Sequence, residues 1–183
     1  MFSWLKRLKR SADKSPEFVY EDPPPLSAEK QRELDAANAL FRAAWNDDVS
    51  RVDVLLDSGV PVDAIGESGE AALQAAIENC AFTTMRRLLE RGASADRYPN
   101  RDGNSPLSHA LEMAIYSTVD RQEIVDAIKS LCSHGAQPGR FDGKLNRSAV
   151  EYAAELAAHD QTREIGRALL VVFDQYRLPT SRE

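Results

Sequence analysis

The chain has 183 residues, room for one domain with short extensions, and its 43% hydrophobic and 28% charged residues are the balance of a soluble globular protein. No apolar run approaches the roughly 20 residues a membrane-spanning helix needs. The net charge of −6 argues against a phosphate-backbone ligand, which requires clustered Lys and Arg. The charge is uneven: residues 1–14 hold five basic side chains and one acid, giving +4, and the remainder holds 18 basic and 28 acidic residues, giving −10. An acidic body suits a basic or mixed protein partner.

In chain order, residues 1–10 form a short basic amphipathic stretch. Phe2, Leu5 and Leu8 recur at helical spacing with Trp4 close to the same face, beside Lys6, Arg7, Lys9 and Arg10. Basic residues follow the aromatics and no apolar segment of 7–15 residues appears, so this is not a secretory signal. Weak contact with an anionic membrane is the functional reading for these eight side chains. Residues 11–26 read as a linker, because Ser15-Pro16 and Asp22-Pro23-Pro24-Pro25 deny helix. Ser27 is a candidate N-cap for a helix from about Ala28, whose Leu34, Ala37, Leu40, Phe41 and Ala44 lie on one stripe. This helix is expected to run into the domain proper, 27–176, and to cover its open end. Residues 177–183 are a tail.

Within the domain a phrase recurs after 33 residues. Leu55-Leu56-Asp57-Ser58-Gly59-Val60 returns as Leu88-Leu89-Glu90-Arg91-Gly92-Ala93, and Leu40-Phe41-Arg42-Ala43-Ala44 returns as Leu73-Gln74-Ala75-Ala76-Ile77. A weaker third copy opens at Ser105-Pro106-Leu107-Ser108-His109-Ala110 and closes at Leu131-Cys132-Ser133-His134-Gly135-Ala136. A fourth starts at Ser148-Ala149-Val150-Glu151 and ends on Leu169-Leu170-Val171-Val172-Phe173. Each copy reads as helix, tight turn, helix, long turn. Val52, Val54, Leu55 and Leu56 are expected to supply the apolar side of the first copy's second helix. Gly59, Gly92 and Gly135 stand where a left-handed C-cap would end it. Asn46-Asp47-Asp48 makes the first tight turn. Pro106 suits the first position of a helix capped by Ser105, and Asp120 and Ser148 head capping-box spacings. Cys80 and Cys132 are expected inside helices. The third copy holds nine extra residues around 115–121, read as a longer first helix and a wider turn. No segment alternates with period two, which excludes extended sheet. A repeated unit that cannot bury its own apolar face must stack on its neighbours.

The pattern resembles the ankyrin repeat. Gly103-Asn104-Ser105-Pro106-Leu107-Ser108-His109-Ala110 matches the family's opening and Leu88-Leu89-Glu90-Arg91-Gly92-Ala93 its close, and the resemblance covers about residues 37–174. It implies an all-α solenoid of about four helix pairs with an N-terminal capping helix, in repeats of about 37–69, 70–103, 104–146 and 147–174. It also implies a concave groove lined by first helices and by finger-like long turns. Carried over by register, the groove-facing positions are Trp45 and Asn46, Glu78 and Asn79, and Glu112 and Met113. The finger positions are Glu67, Ser68 and Glu70, then Arg101, Asp102 and Asn104, with Tyr98 in the second finger. Trp and Tyr are over-represented among residues that dominate binding energy.

No His-Glu-x-x-His, Gly-x-Ser-x-Gly, Cys-x-x-Cys or phosphate-binding glycine loop is present. His109, His134 and His159 are scattered. No catalytic residue, metal or cofactor is expected, and the chain reads as a non-enzymatic binding module. The compact, Ala- and Arg-rich chain with divergent repeats reads as bacterial and cytoplasmic. Small proteins of this kind often serve as adaptors or as inhibitors of the immunity type. The competing readings are a scaffold held at the inner membrane face by residues 1–10, and an oligomer subunit joined through Val171-Val172-Phe173. A monomer when unbound, and a protein partner rather than nucleic acid, are the expectations.

Overall fold

The computed structural model describes residues 25–96, 105–116, 118–143 and 145–176. Among the described residues, helices come in four pairs: α1 (Ala28–Trp45) with α2 (Val49–Asp57), α3 (Ala72–Glu78) with α4 (Phe82–Glu90), α5 (Pro106–Tyr116) with α6 (Arg121–Ser133), and α7 (Ala149–Ala158) with α8 (Arg163–Gln175). A hairpin of β1 (Phe141–Asp142) and β2 (Arg147–Ser148) precedes α7, with Phe141 paired to Ser148 and Asp142 to Arg147. The first helices α1, α3, α5 and α7 stack into one layer, and the second helices α2, α4, α6 and α8 into another. The core lies between the layers and runs the length of the stack through Leu40, Leu73, Ile77, Met85, Leu88, Leu111, Ile128, Leu131, Leu169 and Phe173. This is the all-α stacked-repeat solenoid expected from the sequence.

Repeated residues make repeated local structure. Gly59, Gly92 and Gly135 have φ of +96°, +89° and +102°, in the left-handed region that costs other L-residues energy. At each, the glycine N–H and the next N–H close onto two carbonyls of the ending helix: Leu56 and Leu55, Leu89 and Leu88, Cys132 and Leu131. These bonds satisfy carbonyls that a helix end would otherwise orphan. Asp47 and Cys80, 33 residues apart, both take φ near +54° in the turn between paired helices. The Asp47 carboxylate accepts a bond from the Thr84 N–H at 2.9 Å, tying the first turn to the second pair. Ser27 caps α1, which runs unbroken from the end of the linker into the first pair. Ser148 caps α7 in a full capping box with Glu151. The backbone and hydroxyl bonds from Ser148 hold the Glu151 carboxyl below the usual carboxylate range.

Four local expectations are corrected. Cys80 lies in the tight turn, because α3 ends at Glu78 and the chain must reverse within three residues. Val54 is 57% exposed, since Val52 and Leu55, three apart, define the buried face of α2 and Val54 falls on its flank. Leu56 is half-buried for the same reason. The nine extra residues of the third copy are shared out: α5 has 11 residues against 7 in α3, and α6 has 13 against 9 in α4. The connecting turn grows by a single residue, so the third pair is one turn taller. Asp120 caps α6 by accepting from the Gln122 N–H at 2.7 Å.

Polar ties between pairs fix the stack. Asp53 on α2 accepts from Arg87 at 2.9 Å and from Arg91 at 2.7 Å on α4, and the Arg87 hydrogen bond leads in holding its carboxyl below the usual range. Asp142 on β1 is buried and accepts from the Ser105 hydroxyl at 2.7 Å, and Ser105 in turn accepts from the Ser108 N–H as cap of α5.

Candidate partner-binding surface

The three pairs of groove positions fall where three successive first helices end or pass the same level. Trp45, Glu78 and Glu112 each stand five residues after the buried leucine that anchors their helix, Leu40, Leu73 and Leu107. Trp45 is 38% exposed and stacks on Phe41 with ring centroids 6.3 Å apart. The indole is therefore backed by one ring and partly presented to solvent. Glu78, Asn79 and Asn46 are exposed, and Glu112 and Met113 are half-buried. The Asn79 side chain donates to the Trp45 carbonyl at 2.6 Å, which fixes the end of α1 against α3. The layer therefore carries an indole and two carboxylates at equivalent register positions, the Glu112 carboxylate partly covered.

The first finger is built around a bridge between Ile65 and Ala71. Asn38 on α1 accepts from the Glu67 N–H at 2.9 Å, and the Ser68 hydroxyl accepts from the Glu70 N–H at 3.3 Å. Glu67 and Ser68 are exposed, and Glu70 is half-buried. Ser68 thus has a structural task that the register argument did not foresee. Tyr98, Arg101, Asp102 and Asn104 lie outside the described residues, as do the candidate membrane contacts Phe2, Trp4, Leu5, Lys6, Arg7, Leu8, Lys9 and Arg10.

Sequence reasoning left four side chains of this face unnamed. Tyr116 extends the α5 line one turn past Glu112, and Arg42 lies one turn before Trp45. Tyr152 and Glu155 continue the layer on α7. The signal was available, because Ser105 and Ser148 begin equivalent helices and Glu155 stands where Glu112 does. The insertion in the third copy and the irregular fourth copy obscured that alignment.

Two small cavities, one beside Ser105 and Asp142 and one beside Gln74 and Ser94, are each about 10 Å³, space for about one water. A shallow groove of about 790 Å³ lies at the open end of the stack between α1 and the first finger, against Leu34, Ala37, Val60 and Ile65. Among the described residues no three His, Cys, Asp or Glu side chains gather as a metal site. His134 bonds the Ser130 carbonyl as C-cap of α6, and His159 is exposed at the end of α7. Burial pushes the Cys132 thiol up to about 12, so it stays protonated. Of the Val171-Val172-Phe173 run only Val171 is exposed, while Val172 and Phe173 are buried in the core.

A family model described as ankyrin repeats in three copies matches residues 40–142, more than half of the sequence. The chain belongs to the ankyrin repeat family. No curated protein matches the sequence. Ankyrin repeats are generally protein–protein interaction modules and typically non-enzymatic. No described helix is long and apolar enough to cross a membrane. In this ankyrin solenoid the exposed Trp45 and Glu78 and the half-buried Glu112 stand on the first-helix layer.

Proposed function

We propose that this ankyrin protein is a non-enzymatic adaptor or immunity-type inhibitor that captures a basic or mixed protein surface on its first-helix face. The observation that carries the reading is the alignment of Trp45, Glu78 and Glu112 at one level of α1, α3 and α5. A large, half-fixed aromatic loses little conformational freedom on binding, and flanking carboxylates steer a cationic partner. Asn46, Asn79 and Met113 flank that line, and Glu67, Ser68, Glu70, Tyr98, Arg101, Asp102 and Asn104 are assigned to the finger side of the same surface. The unbound chain is assigned as a cytoplasmic monomer.

A pull-down from the native host tests this with the intact chain and with a paired Trp45→Ala and Glu78→Lys variant. Both changes are at exposed positions, so the variant should melt like the parent yet lose the partner. Capture by the parent should weaken as salt rises. A variant that keeps its partner at native-like thermal stability would move the site elsewhere.

A second reading rests on the +4 charge and amphipathic spacing of residues 1–14. Here Phe2, Trp4, Leu5 and Leu8 dock at an anionic bilayer, each basic neighbour adding about 1 kcal/mol. Ten residues make a marginal helix in water, so attachment should be weak and reversible. Flotation of the intact chain, but not of a 1–14 deletion, with anionic vesicles is the expected result. Equal behaviour of the two removes the lipid anchor and leaves the soluble inhibitor.

A further inference from the structure

The second copy has a cover that the first copy lacks. Ala93 and Ala95, just after the Gly92 cap, are buried, and the Ser94 N–H between them donates to the Asp63 carboxylate of the preceding finger at 3.2 Å. The same places 33 residues earlier are Val60, Pro61 and Val62. Among the described residues no finger precedes them. Val60 and Val62 are larger than the alanines yet only half-buried, and Pro61 is exposed. Pro61 has no N–H, so the bond that the preceding finger gives Ser94 is not needed here. This edge therefore suits an apolar cover that brings no hydrogen-bond acceptor.

The groove of about 790 Å³ at the open end runs from this edge to the first turns of α1. Leu26, 50% exposed, and Ile65, 40% exposed, line it with Leu34 and Val60. Its charged lining is Lys30, Arg32 and Glu33, which holds no excess of acid. Apolar contact, and not charge, is what such a wall offers an occupant.

The sequence ahead of the groove contains a segment of matching character. Phe2, Leu5 and Leu8 lie three apart, with Trp4 beside them. The described residues begin at Pro25, next to Leu26, so the chain enters the domain at the groove itself. Residues 11–25, extended at about 3.1 Å each, would reach about 46 Å. The groove wall from Lys30 to Ala37 is only about 11 Å of helix. The tether is thus long enough to fold back. A segment on such a tether has an effective concentration in the millimolar range, above that of a second copy in dilute solution. Residues 177–183 follow α8, in the last pair of the α1–α3–α5–α7 stack, and are remote from this end.

We propose that residues 1–10 fold back onto this groove and cap the open end of the solenoid through Phe2, Trp4, Leu5 and Leu8. The segment supplies the cover that the second copy receives from the first. A bilayer would take the same four side chains, so cap and membrane contact exclude one another. The cap does not rest on the first-helix reading, and its failure leaves that reading untouched.

The test is NMR of the methyl-labelled full chain without lipid. NOEs should join the Phe2 and Trp4 rings to the methyl groups of Leu34, Val60 and Ile65. Leu5→Glu combined with Leu8→Glu should abolish these NOEs and shift the three methyl signals, while core signals such as those of Leu88 and Leu131 stay in place. Ile65→Ser should abolish the NOEs to Leu34 and Val60 from the groove side. The contacts should survive about 0.5 M salt, because apolar burial is not screened. They should also survive about tenfold dilution, because the tether keeps the segment near. Groove methyl signals that ignore the paired glutamates would overturn the cap. NOEs that fade on dilution would overturn it too and seat a second copy in the groove. Segment signals that respond only to anionic vesicles would overturn it and leave the lipid anchor.

Discussion

Leu89→Ala should lower the stability of the whole repeat domain by about 2–5 kcal/mol, through lost transfer energy plus the cavity left behind. Leu89 is 3% exposed and sits in the last turn of α4, a helix that packs on α2, α3 and α6. Its carbonyl also receives the Gly92 N–H that ends the helix. A void there loosens contacts with the neighbouring pairs on both sides, and stacked repeats depend on nearest-neighbour interfaces for their stability. Urea unfolding followed by far-ultraviolet circular dichroism should show the midpoint move down with the slope little changed. An unmoved midpoint would mean that α4 does not close the core as described.

Gly166→Ala is the second large effect, and two physical terms oppose each other in it. Alanine is the better helix former by about 1 kcal/mol, so propensity alone predicts a gain. A Cβ at Gly166, however, would stand 2.3 Å from the Ala157 backbone nitrogen, 2.7 Å from the Leu156 carbonyl carbon and 2.8 Å from the Ala153 oxygen. All three are backbone atoms of α7 or its C-terminal turn, which cannot swing aside as a side chain can. The two helices must part, and overpacking of this kind costs about 1–3 kcal/mol or more. The net result should be destabilisation, larger still for Gly166→Val, with a lowered melting temperature as the readout. A stabilised Gly166→Ala would show that α7 and α8 are not in backbone contact.

Much of this fold was legible in the sequence because its strongest signals are local and repeated. The Leu-Leu-x-x-Gly ending needs only a helix whose last carbonyls must be satisfied, and three glycines in register gave it away. Ser27, Ser105 and Ser148 marked helix starts by the same logic. Legibility failed where the outcome depends on neighbours. Val54 looks like a core residue by type, and only the phase of α2 against α4 turns it outward. Cys80 reads as helical until the turn's need for a left-handed residue is felt. The insertion was visible as nine residues, but its division between α5 and α6 depends on both helices growing together so that their interface stays paired. At the candidate site, register placed Trp45, Glu78 and Glu112 together. It did not reveal that Ser68 braces a finger, because that bond depends on the course of the turn itself.

The central claim is that the first-helix face, and not the outer helices, captures the partner. It is tested most directly by calorimetric titration of the purified partner into three proteins matched in melting temperature. These are the parent, the Trp45→Ala and Glu78→Lys variant, and a control with Val54→Ala and Glu123→Lys, which changes one exposed apolar and one exposed acidic side chain on α2 and α6. The account predicts binding to the parent and the control alike and none to the first-helix variant. Loss of binding in the outer-helix control, with the first-helix variant unaffected, would contradict it.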